Sequence, residues 1–199
     1  MSMTDKDLGL LTIYLRDNHV FGPEIIEVIA RDAIANPLVK REKLFQQGNS
    51  LDYVYWFPQG IIRYYVTNEE GKESTNALRV GPTFICSTYS MASGQPCPFT
   101  AEVISGNIAY SFNISLWYEL THRYSEFAQF YIRLLEGLFA HKSRRELSFL
   151  NQTPESRYLD FLDDYQPYIG TIPQWVIASY LGITPEALSR IKRRLSDSS

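Results

Sequence analysis

Only two cysteines occur in the 199 residues, Cys86 and Cys97. They do not form a C-x-x-C pair and no second pair completes a zinc set, which excludes a zinc finger and a disulfide scaffold. A bridge across the residues between them has no support, so two small, buried or half-buried thiols in a reducing compartment are expected. Long apolar runs are missing too, and nothing reaches the eighteen or so residues a membrane helix needs. The start, MSMTDKDLGL, has no basic segment leading into an apolar core, so no signal peptide is expected. The protein is expected in the cytoplasm, with no membrane partner.

Histidine is scarce and scattered, at His19, His122 and His141. Lone histidines are packing or surface residues more often than ligands, and neither a metal nor a cofactor is expected. There is no G-x-S-x-G, no phosphate-cradling glycine loop and no H-E-x-x-H. No catalytic residue is therefore assigned, and the chain is not expected to be an enzyme. Asp160, Asp163 and Asp164 are explained as solvated charges on a helical face. A positive excess is absent as well. The net charge of −3 excludes a generic polyanion binder, so any nucleic-acid surface must be local.

What is present suits a folded chain. Hydrophobic residues make up 45% and charged residues 21%, enough for a buried core. Disorder is expected only at the ends, Met1–Asp7 and Ser196–Ser199. From about Pro37 to Phe112, runs rich in Tyr, Val, Ile and Phe are punctuated by Gly48, Gly60, Gly71, Gly81 and Gly106. Such spacing predicts a small antiparallel barrel or jelly roll. The polar stretch Asn68–Lys72, with Gly71, suits a hairpin tip.

Helical texture flanks these strands. Residues 23–35 start at Pro23 and carry Ile25, Ile26, Ile29 and Ala33 at helical spacing. The stretch 115–151 has no proline and predicts one long helix. Its stripe Phe127, Tyr131, Leu134 and Leu138 is joined by Phe130, Leu135 and Phe139 off that stripe. Two apolar faces suit a helix packed on its own barrel and on a partner chain, or one buried within a single subunit. Thr153-Pro154 then opens another helix, which runs to a break at Pro167.

The most informative segment is 171–195, TIPQWVIASYLGITPEALSRIKRRL. Pro173 can begin a helix whose Trp175, Val176, Ile177 and Tyr180 are spaced to bury one side. Gly182 stands where a left-handed helix end is usual. Thr184-Pro185 caps a second helix at once, with Leu188, Ile191 and Leu195 on its apolar face. Two helices joined so tightly predict a helix-turn-helix. The outward face of the second helix carries Glu186, Ser189, Arg190, Lys192, Arg193 and Arg194. Cations there can neutralise phosphates, and arginine can bond bidentately to guanine. An ordinary solvated helix end also favours Lys and Arg; the tight turn, the cap and the basic face together favour DNA.

This ending resembles the C-terminal motif of Crp/Fnr regulators, on Pro173, Ile177-Ala178-Ser179-Tyr180-Leu181-Gly182-Ile183-Thr184-Pro185-Glu186 and Leu188-Ser189-Arg190-Ile191. The resemblance implies an α+β chain: an antiparallel β-roll (double-stranded β-helix, a cupin-like jelly roll) with flanking helices, a long dimerisation helix and a C-terminal all-α helix-turn-helix domain. It implies a sensory domain over residues 1–151, including the dimerisation helix at about 115–151, and a DNA-binding domain over 152–199. It also implies a homodimer on a double-stranded, near-palindromic operator. By position, Glu186 and Arg190 would reach base edges and Thr184 would lie near phosphate. Pro185 stands where some members carry a base-reading arginine. The sequence stops before a β-wing that longer members carry, so a shallower salt dependence is expected. The rival expectation is a ligand-binding or scaffold dimer whose helix-turn-helix no longer binds DNA.

Members of that family that bind cyclic AMP carry a cassette similar to F-G-E-[LI], followed further on by R-[ST]-A. Here the corresponding residues are Phe84-Ile85-Cys86-Ser87 and Phe99-Thr100-Ala101. Cys86 stands for the glycine, Ser87 for the ribose-binding glutamate and Phe99 for the phosphate-binding arginine. Burying a phosphate without its cation costs on the order of several kcal/mol. Cyclic AMP binding is expected to be absent or very weak, and micromolar binding by calorimetry would overturn this. Another small-molecule effector would find Cys86, Ser87, Tyr89, Met91, Phe99 and Thr100 around the vacated pocket, residues that also suit a plain core.

Overall fold

The computed structural model describes residues 3–20 and 22–197. Two helices, α1 (Asp5–Asp17) and α2 (Pro23–Asp32), lead into the strands. These are β1 (Ile34–Pro37), β2 (Lys43–Phe45), β3 (Tyr53–Phe57), β4 (Ile61–Thr67), β5 (Glu73–Val80), β6 (Thr83–Ile85), β7 (Thr100–Ser105) and β8 (Ile108–Asn113), with the short α3 (Thr88–Ser93) between β6 and β7. They form two four-stranded sheets of order β1-β8-β3-β6 and β2-β7-β4-β5, every pair antiparallel. The jelly roll expected from the glycine-punctuated runs is thus present. Among the described residues no helix is long and apolar enough to cross a membrane.

The turns follow local chemistry. At the β4–β5 hairpin, Lys72 N–H donates to the Asn68 side chain at 2.8 Å and Gly71 has φ +79. Gly60, between β3 and β4, has φ +122, and a Cβ there would lie 2.2 Å from the Ser105 carbonyl oxygen. A side chain at that position is excluded on both counts.

The helices differ from expectation in three places. The N-terminus is ordered from Met3, and α1 begins at Asp5, where Thr4 Oγ1 accepts from Asp7 N–H as an N-cap. Disorder at Met1–Asp7 and Ser196–Ser199 therefore fails for residues 3–7 and 196–197; Met1, Ser2, Ser198 and Ser199 lie outside the described residues. The second helix stops at Asp32, because Ile34 and Ala35 pair with Ser111 and Tyr110 of β8. The stretch 115–151 is two helices, α4 (Ile114–Arg123) and α5 (Ser125–Asn151), broken at Tyr124, whose backbone is extended. Leu116, Trp117 and Leu120 of α4 reach the same core as Phe127 and Phe130 of α5. A straight helix, rising about 1.5 Å per residue, would carry one set away from it.

That core joins α1, α2, α4 and α5 to the first sheet through Trp56, Phe84, Tyr110 and Phe112. Burying each such aromatic contributes roughly 1.5–3 kcal/mol. A second core fills the barrel with Phe45, Phe57, Ile62, Tyr64, Ala101 and Val103. The third belongs to α6 (Pro154–Tyr165), α7 (Gln174–Leu181) and α8 (Pro185–Asp197), but it includes Ile61, Leu78 and Ile104 from the strands. The outer face of the second sheet is therefore covered by the C-terminal helices. This accounts for Ile61–Tyr65 of β4, five consecutive buried residues where an exposed sheet face would alternate.

Candidate nucleic-acid interface and adjoining cavity

The interface starts from the α7–α8 corner. Pro173 caps α7, and a short 3₁₀ turn at Gln166–Tyr168 holds Pro167 after α6. Gly182 has φ +69, and Ile183 N–H returns to the Ala178 carbonyl at 3.0 Å, the paired closure that ends a helix sharply. Thr184 Oγ1 accepts from Ala187 N–H at 3.2 Å and starts α8 at once. Leu188 and Ile191 are buried against α7, with Leu195 half-buried.

The other face of α8 is open. Thr184, Glu186, Ser189, Arg190, Lys192, Arg193 and Arg194 are all exposed. Two of the cations are tethered: Lys192 donates to Gln174 Oε1 at 3.0 Å, and Arg194 lies 3.4 Å from Glu155. A bond from its own backbone N–H and one from the Thr184 hydroxyl, with Arg190 nearby, hold the Glu186 carboxyl below the usual range. Arg190, Arg193 and Arg194 also line a groove beside Thr153–Glu155, the start of α6.

Several residues behind this surface were not apparent in the sequence. Arg157 of α6 donates to the Leu181 carbonyl at the end of α7 and to the Gln152 carbonyl just beyond α5. Its guanidinium covers one face contact of Phe149, and Arg145 makes another, each at 4.6 Å. Ser179 Oγ accepts from Thr75 N–H at 2.8 Å and ties α7 to β5. Trp175, expected to be buried, is 43% exposed; its ring instead lies 4.5 Å from the guanidinium of Arg63. Arg63 is fully buried, has Tyr65 at 4.3 Å, and donates to Thr75 Oγ1 and to Glu73 at 2.5 Å.

A cavity of about 700 Å³ lies between the barrel and α5. Of the residues expected around an effector, Cys86 and Phe99 line it. The other expected positions fall elsewhere. Ser87 is buried, with its hydroxyl on Ser90; Thr100 Oγ1 accepts from Gln47 N–H; Met91 belongs to the helix-side core; Tyr89 is 50% exposed. Phe99 stacks on Tyr64 at 4.7 Å, with Phe45 at 5.8 Å, so aromatic rings fill the barrel side. The remaining wall is unexpectedly basic, with Arg79, Arg133, His141, Lys142 and Arg145. Three of these, Arg133, His141 and Arg145, are separated by eight and four residues and so share one face of α5, a spacing visible in the sequence.

No family model matches this chain, and no curated protein does. Solved structures do. FixK2 from Bradyrhizobium japonicum aligns with TM-score 0.74 and 20% identity over 83% of this chain and 85% of that one. CLP of Xanthomonas campestris, described as a c-di-GMP responsive global regulator, gives 0.71 and 11% over 89% and 93%. DNR from Pseudomonas aeruginosa gives 0.56 and 19% over 100% and 91%. These are Crp/Fnr regulators, and the chain has their fold.

Proposed function

We infer that the chain is a DNA-binding transcriptional regulator of the Crp/Fnr type, working in the cytoplasm as a homodimer on a double-stranded operator. One observation carries this reading: α8 presents an open, basic face while its apolar face is held on α7 across Gly182. In a major groove, Arg190 and Glu186 would address base edges, and Thr184, Ser189, Lys192, Arg193 and Arg194 the backbone or adjoining bases. The partner subunit would pack along α5, where Ile132, Leu135, Phe139, Leu147 and Leu150 are exposed. Residues 1–151 would act as the sensory unit and 152–199 as the reading unit, with a hinge at Gln152, the extended residue between α5 and α6. An effector other than cyclic AMP that favours one placement of the two units changes operator affinity, and DNA changes effector affinity by the same factor.

The test is a gel shift with footprinting across promoter DNA, using wild type and Arg190→Ala. The variant is expected to fold normally and to lose about 1–3 kcal/mol of specific binding, roughly ten- to a hundredfold. Equal binding by Arg190→Ala sinks the assignment of α8. Wild-type protein that binds no promoter fragment would leave a ligand-binding dimer as the remaining reading.

A further inference from the structure

The cavity between barrel and α5 has a charge balance that a plain core would not carry. Four cationic side chains line it, Arg79 from β5 and Arg133, Lys142 and Arg145 from α5, with His141 among them, against one carboxylate, Glu146. Among the described residues, no carboxylate pairs with Arg79, Arg133, Lys142 or Arg145. Arg133 donates from one terminal nitrogen to the Asn18 carbonyl, but its Nε is buried without an acceptor. A buried donor left unmet is costly, and the protein itself does not fully satisfy the Arg133 guanidinium. Arg145 differs, because its Nε and one terminal nitrogen already donate to the Asn76 and Thr75 carbonyls. It supplies field rather than contact.

His141 responds to that field. Burial first, then Arg79 and Arg144, hold its imidazole below the ordinary histidine range, so it stays neutral at pH 7. Between these groups the lining is apolar, with Phe84 and Phe99 from the barrel and Leu134 and Leu138 from α5 itself. An occupant that matches this lining has one negative head and a flat apolar body.

We propose that this cavity binds an aromatic or alicyclic carboxylate, its charge met by Arg79 and Arg133 and its body by the ring-lined barrel side. The proposal rests on reading the barrel as the effector domain, but it needs no DNA. It moves the anion-binding pole away from the cassette, where Phe99 stands, onto β5 and α5. Among the described lining residues, Glu146 is the one carboxylate.

The test uses two dyes on the full chain, 1-anilinonaphthalene-8-sulfonate and N-phenyl-1-naphthylamine, which differ only in the anionic group. Fluorescence titration is expected to show the sulfonate binding about tenfold tighter, the scale of one hydrogen bond to a charged group. Arg79→Gln and Arg133→Gln should each erase most of that preference, with circular dichroism confirming the fold. 1-Naphthoate should displace the sulfonate, and cyclic AMP at equal concentration should not. Glu146→Gln, at an exposed rim position, removes the one opposing charge and should tighten sulfonate binding two- to fivefold, roughly a modest surface electrostatic effect. Equal affinity for the two dyes, a preference that survives both arginine substitutions, unchanged binding in Glu146→Gln, or displacement by cyclic AMP as potent as by naphthoate would each overturn the proposal. A failed gel shift leaves these results standing, so the two readings fail separately.

Discussion

Cys86 forms part of the cavity wall, yet burial pushes its thiol up to about 12, with Cys97 nearby adding to the rise. At neutral pH it is a thiol, and the thiolate is the reactive species. Cys97 is buried in the barrel core. Native protein is therefore expected to react with Ellman's reagent only over hours, and to release two equivalents at once in denaturant. One equivalent titrating within minutes in the native state would mean that a reactive thiolate forms at this site. The buried thiols were legible from the sequence, since two cysteines without a partner set are usually packing residues. Arg63 was not. Nothing local marks one arginine in a strand as fully buried, because two of the groups that enclose it, Trp175 and Glu102, lie far along the chain. The basic cavity wall has the same origin: Arg79 and Arg133 meet only once β5 and α5 are folded together.

Element-level reading succeeded where a cap or a breaker fixes the chain. Thr153-Pro154, Pro167 and Thr184-Pro185 all stand at helix boundaries. It failed at Tyr124, where no glycine or proline announces the break and tertiary packing of Trp117 and Phe127 decides it. The same distinction makes Gly182 and Gly9 a useful pair. At Gly182 an added Cβ would adopt φ +69 and approach Phe149 Cε1 to 2.7 Å. The left-handed backbone alone costs about 1–2 kcal/mol for an L-residue, and the Phe149 ring, which Arg145 and Arg157 contact, would have to shift. At Gly9, inside α1, a Cβ meets nothing within 4 Å. Gly182→Ala is expected to lower stability by at least about 1–2 kcal/mol, and Gly9→Ala to raise it by roughly 0.5–1 kcal/mol. Urea midpoints at unchanged slope measure both. A neutral Gly182→Ala would mean that the corner relaxes, and that the placement of α8 does not depend on it.

At the scale of the whole molecule, the helix-turn-helix is seated on the barrel. Thr75 bonds Ser179, Arg63 lies against Trp175, and Tyr165 donates to the Leu78 carbonyl. No periodicity in the sequence announces that contact, because β4 and β5 look like half-buried strands until α7 covers their outer face. The second face of α5 was legible, since its apolar residues outnumber what one contact needs. Ile132, Leu135 and Phe139 follow at steps of three and four, with Leu147 and Leu150 further on; Phe139 is 74% exposed and Leu150 73%. A stripe of that kind along a 27-residue helix is the surface on which the proposed partner subunit would pack. Placing a charge at its centre tests the dimer and the operator together. Phe139→Glu should leave the far-ultraviolet spectrum intact and give a single-subunit mass by light scattering. It should also weaken binding to a palindromic operator by about a hundredfold or more, because two linked half-site contacts gain from effective concentration and two separate ones do not. Wild-type protein running as a monomer at micromolar concentration would remove the premise. A Phe139→Glu protein that stays dimeric would place the partner on another face, and the exposed stripe on α5 would then need a different occupant.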